Sequence, residues 1–224
     1  MTEPLDILHL DDDLVVVSKP PGMLVHRDAW SPREEVVLQT LAYQIDRYLF
    51  PVHRLDRNTS GVLAFGCSRT MARALHDNLR EPDARKEYLV LTRGETSESF
   101  TSDRPLSHNG EPREARTEFR RLACFSRCSL LRARTLTGRR HQIRRHLAHL
   151  AHQVIGDTGY GKGRINAWFR AEYGLPRMFL HAQRMVVAHP RTGVPMEIVD
   201  PLAADLRYFL GRLPDVDSAL IGKL

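Results

Sequence analysis

Short apolar runs closed by turn-forming clusters recur along this chain of 224 residues, and helical spacing replaces them in only a few places. Ile7 to Leu10, an Asp-rich turn and Leu14 to Ser18 predict a hairpin that Pro20, Pro21 and Gly22 terminate. In SPREEVVLQTLAYQIDRYL, Ser31 fits a helix N-cap, Pro32 the first helical position and Glu34 the reciprocal acceptor of a capping box. Val37, Leu41, Ile45 and Tyr48 then recur on one face. Val62 to Phe65 reads as a strand, and Ser68 caps a helix with Met71, Leu75 and Leu79 on one stripe.

Further on, Lys86 to Thr92, Thr117 to Arg121 and Leu130 to Leu136 predict strands, with Asn109-Gly110 as a hairpin turn between the first two. TGRRHQIRRHLAHL predicts a helix whose core face holds Ile143, Leu147 and Leu150 and whose other face shows arginine. Gly156 to Arg177 reads as a long surface excursion. Met185 to Ala188 and Met196 to Val199 are strands on either side of the turn HPRTGVP, and Leu202 to about Leu213 is amphipathic. Many strands joined by turns, without strict strand–helix alternation, predict an α+β fold on a mixed, mostly antiparallel sheet with flanking helices. There is no repeat and no Ser/Gly linker, so residues 1–224 are expected to form a single domain, or two closely packed halves.

Charge sharpens the picture. The net charge is +6, but between Arg113 and Arg145 eleven arginines face two glutamates. Guanidinium forks match phosphate oxygens, so this segment points to a polyanion such as a nucleic acid. Three cysteines without a CxxC pair read as reduced thiols, and the longest early apolar run, Leu14 to Val17, is far shorter than the ~20 residues of a membrane span. A cytoplasmic protein that does not enter membranes is expected. Neither GxxxxGK[ST] nor a GxGxxG opening a helix is present, so no nucleotide cofactor is expected. The histidines at 141, 146, 149 and 152 lack HExxH spacing and share their segment with arginines that repel a dication, so no metal is expected either.

Within PVHRLDRNTSGVL, Asp56 stands between Arg54 and Arg57. It is either a solvated ion pair or a reactive carboxylate held in its charged form. HRLDRNTSG resembles the signature loop of the RluA-type pseudouridine synthases, and the likeness continues in order through KPPGMLVH, RKEYLVLTRG, TGRRHQIRRHLAHLAHQVIGD and MFLHA. This resemblance implies a pseudouridine synthase fold with a central catalytic cleft, no cofactor, an RNA substrate and a monomer. It makes Asp56 the essential aspartate, Arg144 its charge partner and Tyr88 the residue that stacks on the target base. His53 and Arg54 are implied to assist RNA distortion, Arg57 to meet phosphate, Thr59 to contact RNA while shaping the turn, and Arg139, Arg140 and Arg145 to bind the backbone. Lys19 and His26 are expected to give structural support.

LVHR and the double arginine of HQIRRHLAHL are most similar to members acting on tRNA at uridine 65 of the T-arm stem. The short Gly94 to Thr117 segment leaves room for a sibling target in ribosomal RNA or another tRNA arm. No separate N-terminal RNA-binding domain is expected. A non-catalytic RNA-binding or RNA-folding protein would have no need of Asp56, Tyr88 and Arg144 together.

Overall fold

The computed structural model describes residues 3–27, 34–125 and 127–224. The first strands are β1 (Asp6–Leu10) and β2 (Leu14–Lys19), followed by helix α1 (Val37–Gln44), β3 (Phe50–Pro51), β4 (Ser60–Gly66) and α2 (Arg69–Asn78). Next come β5 (Arg85–Arg93), β6 (Ser99–Ser102), β7 (Leu106–His108), β8 (Glu111–Arg113), β9 (Thr117–Phe125) and β10 (Cys128–Thr135). The remainder holds α3 (Gln142–His149), α4 (Gly163–Tyr173), β11 (Leu180–Ala188), β12 (Pro195–Val199), α5 (Ala204–Gly211) and α6 (Ser218–Ile221). These elements form two compact units, Met1–Lys86 with Ala182–Asp200 and Glu87–His181 with Pro201–Leu224. The fold is α+β.

In the first unit β1 pairs with β2, β2 and β3 with β4, and β11 with β12, all antiparallel. The expected Asp-rich turn forms because the Asp11 carboxylate accepts the N–H groups of Asp13 and Leu14 at 2.8 and 2.9 Å, closing the hairpin. Leu14 to Val17 are wholly buried, which explains an uninterrupted apolar strand. Ser68 caps α2 by accepting the Met71 N–H at 3.2 Å, and Leu75 and Leu79 join Leu14, Val16, Val62 and Ala64 in one core. Each such fully buried leucine or valine contributes about 1.5–3 kcal/mol relative to exposure.

The helix expected from Ser31 begins only at Val37, with Val36 as its N-cap; Ser31 and Pro32 lie outside the described residues. Its first N–H groups are satisfied by backbone instead of a side chain: Val37 donates to Leu24 O at 2.9 Å and Leu38 to Val25 O at 3.0 Å. Glu34 is therefore no capping-box acceptor. The helix ends at Gln44, before Asp46 with φ 51°, so Tyr48 falls off the core face and is 90 % exposed.

The second unit pairs β5 with β10, β10 with β9 and β9 with β6, again antiparallel. β7 and β8 form the hairpin predicted at Asn109-Gly110, whose φ values of 51° and 86° belong to a type I′ turn. Alternate residues feed two cores. Val90, Leu131 and Ala133 meet Ile143, Leu147 and Val154 on one face, while Leu89, Leu91 and Leu130 meet Phe169, Leu206 and Phe209 on the other. The excursion expected over 156–177 contains α4, because Ile165, Phe169 and Tyr173 at helical spacing can reach the second core. Leu150, placed on the core face of α3 by periodicity, is the C-cap residue and 41 % exposed.

Candidate active site

In the first unit the HRLDRNTSG loop runs from β3 into β4. Leu55 is buried as its apolar anchor, and the Thr59 N–H donates to Asp56 O at 3.0 Å, closing a tight turn with the half-buried Asp56 at its head. The turn is clamped from below. The Arg57 carbonyl accepts the Gly22 N–H at 2.8 Å and the Lys19 ammonium at 3.0 Å, and the same ammonium donates to Pro20 O at 2.6 Å. Lys19 has no exposed surface. The KPPG segment is thus a bracket that fixes the backbone beside Asp56.

Gly61 leaves the loop with φ 113°, and a Cβ there would lie 2.2 Å from the Ala182 carbonyl oxygen, so only glycine fits. Thr59 is buried, and its hydroxyl makes no hydrogen bond among the described residues. His53 accepts the Ala64 N–H through Nε2 at 3.1 Å. Burial, with Lys86 and His76 adding positive charge, pushes its pKa down to about 3. A neutral ring committed to the backbone offers phosphate no charge, so in this structure His53 supports the loop. Arg57 pairs with Glu34, both half exposed, while Arg54 is exposed.

In the second unit Tyr88 stands on β5 opposite Ala133 and, half-buried, packs on the core that also holds Ile143 and Leu147 of α3. The turn before α3 is organised by the buried Gln142 side chain. Its amide donates to Arg116 O and Thr117 Oγ1 at 2.9 Å, and its oxygen accepts Thr137 Oγ1 at 2.7 Å and the Arg139 N–H at 2.9 Å. Arg139 Nε donates to Glu114 O at 2.7 Å and Arg145 Nη1 to Ser107 O at 3.1 Å, whereas Arg140 is exposed.

Arg144 binds Asp157 through a two-point fork, Nε to Oδ2 and Nη2 to Oδ1, each at 2.8 Å. Burial pushes the Asp157 carboxyl up, but the Arg144 fork and the N–H groups of Tyr160 and Gly159 outweigh it and hold the group below its usual value. Sequence reading did not single out Asp157 or Tyr160, although both stand in the stretch that follows the HQIRRH motif.

The histidine run is dispersed. His146 is buried, with Nδ1 on Thr117 Oγ1 and Nε2 on Arg104 O, both at 3.0 Å, and His152 Nδ1 meets Arg93 O at 2.9 Å. Elsewhere Asp11, Asp13 and His189 lie close enough to hold a cation, but Arg191 binds the Asp13 carboxylate and opposes one. No helix among the described residues is long and apolar enough to cross a membrane.

Solved structures that share this fold include two human ones. "Human RNA Pseudouridylate Synthase Domain Containing 4" superposes with a TM-score of 0.76 at 23 % identity, over 93 % of this chain and 92 % of that one. "Human RNA Pseudouridylate Synthase Domain Containing 1" gives 0.71 at 23 % identity, over 89 % and 86 %. Residues 13–149 match the family described as RNA pseudouridylate synthase. Curated relatives include tRNA pseudouridine synthase C of Haemophilus ducreyi, 38 % identical over 84 % of this chain and 87 % of that protein. The tRNA pseudouridine synthase C of Vibrio cholerae is 37 % identical over 87 % and 89 %. The chain belongs to the RNA pseudouridylate synthase family, in its RluA-type branch, and is an isomerase.

Proposed function

We propose that this protein converts a uridine of tRNA to pseudouridine, at position 65 in the T-arm stem, without a cofactor. The reaction breaks the N1–C1′ bond, turns the base and forms a C5–C1′ bond; the C5 proton leaves and N1 regains one, so the change is isomerisation. A single ionised carboxylate next to the sugar is what it needs, and Asp56 is the residue assigned to it. A carboxylate so placed can attack the nucleoside covalently or remove a sugar proton while the base turns. Tyr88 is assigned to stacking on the base and Arg144 to stabilising the charge of Asp56. The target nucleotide must leave its duplex, at a cost of a few kcal/mol that stacking and groups filling the gap repay. Arg54 is assigned to that gap, with Arg57, Thr59, Arg139, Arg140 and Arg145 on the RNA around it.

The observation that supports this reading is the bracketed turn: Lys19 and Gly22 both hold the carbonyl next to Asp56 and so fix the backbone that carries its carboxylate. The names of the relatives support tRNA as the substrate class. The test is Asp56→Asn assayed on a tRNA transcript, expected to form no pseudouridine while binding tRNA with near-normal affinity. Retained modification overturns the assignment. Pseudouridine mapping in cells with and without the gene tests the target, and a loss confined to ribosomal RNA overturns tRNA.

A further inference from the structure

Asp157 is a carboxylate with no exposed side-chain surface, paired to an Arg144 side chain that is 12 % exposed. Taking such a pair out of water costs each ion its hydration before attraction repays it, so a buried ion pair is a poor device for stability alone. This one is fully built. Oδ2 accepts Arg144 Nε at 2.8 Å, and Oδ1 accepts Arg144 Nη2 at 2.8 Å, the Gly159 N–H at 2.8 Å and the Tyr160 N–H at 3.0 Å. The carboxylate is thereby tied to the backbone of its own loop and cannot turn with the arginine.

The loop is tied in its turn. Asn166, buried at the start of α4, donates to Asp157 O at 2.8 Å and accepts the Gly156 N–H at 2.9 Å. A Cβ at Gly161 would meet Asp157 O at 2.1 Å, and one at Gly159 would lie 3.1 Å from Arg144 Nη2, so the backbone wraps the guanidinium closely. Tyr160 stacks against the guanidinium, its ring centre 5.0 Å from Arg144 Cζ. The Tyr160 hydroxyl meets His141 Nδ1 at 3.0 Å, and His141 is the left-handed residue, φ 54°, that opens α3. A fork on one edge and a ring on one face together set the direction of a guanidinium.

We infer that Asp157 and Tyr160 are positioning residues that aim the guanidinium of Arg144. This rests on Arg144 serving the reaction as proposed above; neither residue is assigned a contact with the substrate.

The experiment measures kcat and KM on a tRNA transcript for Arg144→Lys, Asp157→Asn, Tyr160→Leu and Tyr160→Phe, and for Arg144→Lys combined with Tyr160→Leu. Tyr160→Leu is expected to lower kcat by about tenfold to a hundredfold with KM little changed, because misaimed groups cost rate rather than binding. Tyr160→Phe, which keeps the ring over Arg144, should recover most of that loss. In the Arg144→Lys background the same Tyr160→Leu change should cost nothing more, since the two act as a unit. Asp157→Asn should show the same kcat loss, but it removes a buried charge and can fail to fold, so the Leu and Phe forms of the half-exposed Tyr160 decide the matter by themselves. A full-rate Tyr160→Leu beside an impaired Arg144→Lys overturns this inference alone. An unimpaired Arg144→Lys overturns the role given to Arg144 and this inference with it.

Discussion

The Lys19 ammonium, on a side chain without exposed surface, donates to the Arg57 carbonyl at 3.0 Å, so a residue 38 positions earlier holds the backbone one step beyond Asp56. A buried cation bonded to carbonyls is stabilising only while those bonds persist, and removing it releases the turn. Lys19→Met is expected to cost about 2 kcal/mol of stability, from the loss of hydrogen bonds that carry a charge, and to lower the rate of pseudouridine formation more than tRNA affinity. Denaturant unfolding together with a rate assay checks both. A variant of full stability and full rate would show that the bracket does not hold the loop.

Gly61 offers a sharper test of the same loop. With φ 113° and the Ala182 carbonyl oxygen 2.2 Å from a notional Cβ, Gly61→Ala combines backbone strain with a backbone clash. Destabilisation of about 3 kcal/mol or more is expected, read from the shift in urea midpoint at constant slope. Unchanged stability would mean that β4 and β11 can part at little cost.

His53 should stay neutral at every physiological pH. Its folded pKa of about 3 lies below the ordinary 6.5, so the unfolded chain takes up the proton first. The contribution of this group to stability is therefore complete above pH 6.5 and is lost as pH falls from there toward 3. The His53 ring resonances should not titrate between pH 5 and 8, and His53→Gln should remove part of the loss of stability below pH 6.5. A midpoint near 6.5 in the folded protein would contradict the bond to Ala64.

The arginines of the TGRRHQIRR segment should separate by role. Arg140 is exposed, so Arg140→Ala is expected to weaken tRNA binding and reduce the slope of log affinity against log salt by about 1, as one lost phosphate contact does. Arg139 holds the Glu114 carbonyl at 2.7 Å, so Arg139→Ala should lower stability as well. Equal salt slopes for wild type and Arg140→Ala would remove Arg140 from the RNA surface.

Local rules made much of the fold readable from the chain alone. The Asp-rich hairpin turn, the Ser68 cap, the Asn109-Gly110 turn and most strand positions depend on residues a few places apart, whose energies are local. The ordered motifs carried the family to which the chain belongs. What tertiary structure decided is who partners whom. Glu34 looks like half of a capping box until Arg57, 23 positions on, takes its carboxylate, and α1 starts late because Leu24 and Val25 supply its first acceptors. A glycine-rich stretch read as loop becomes α4 because a core is present for Phe169 to enter. Arg144 grips Asp157, 13 residues away across a turn, in a two-point fork, and His53 gives up its charge because the fold buries it. Spacing reports periodicity and turn chemistry, but the partner and the charge state of a buried polar group follow from desolvation, which exists only once distant segments have closed around it.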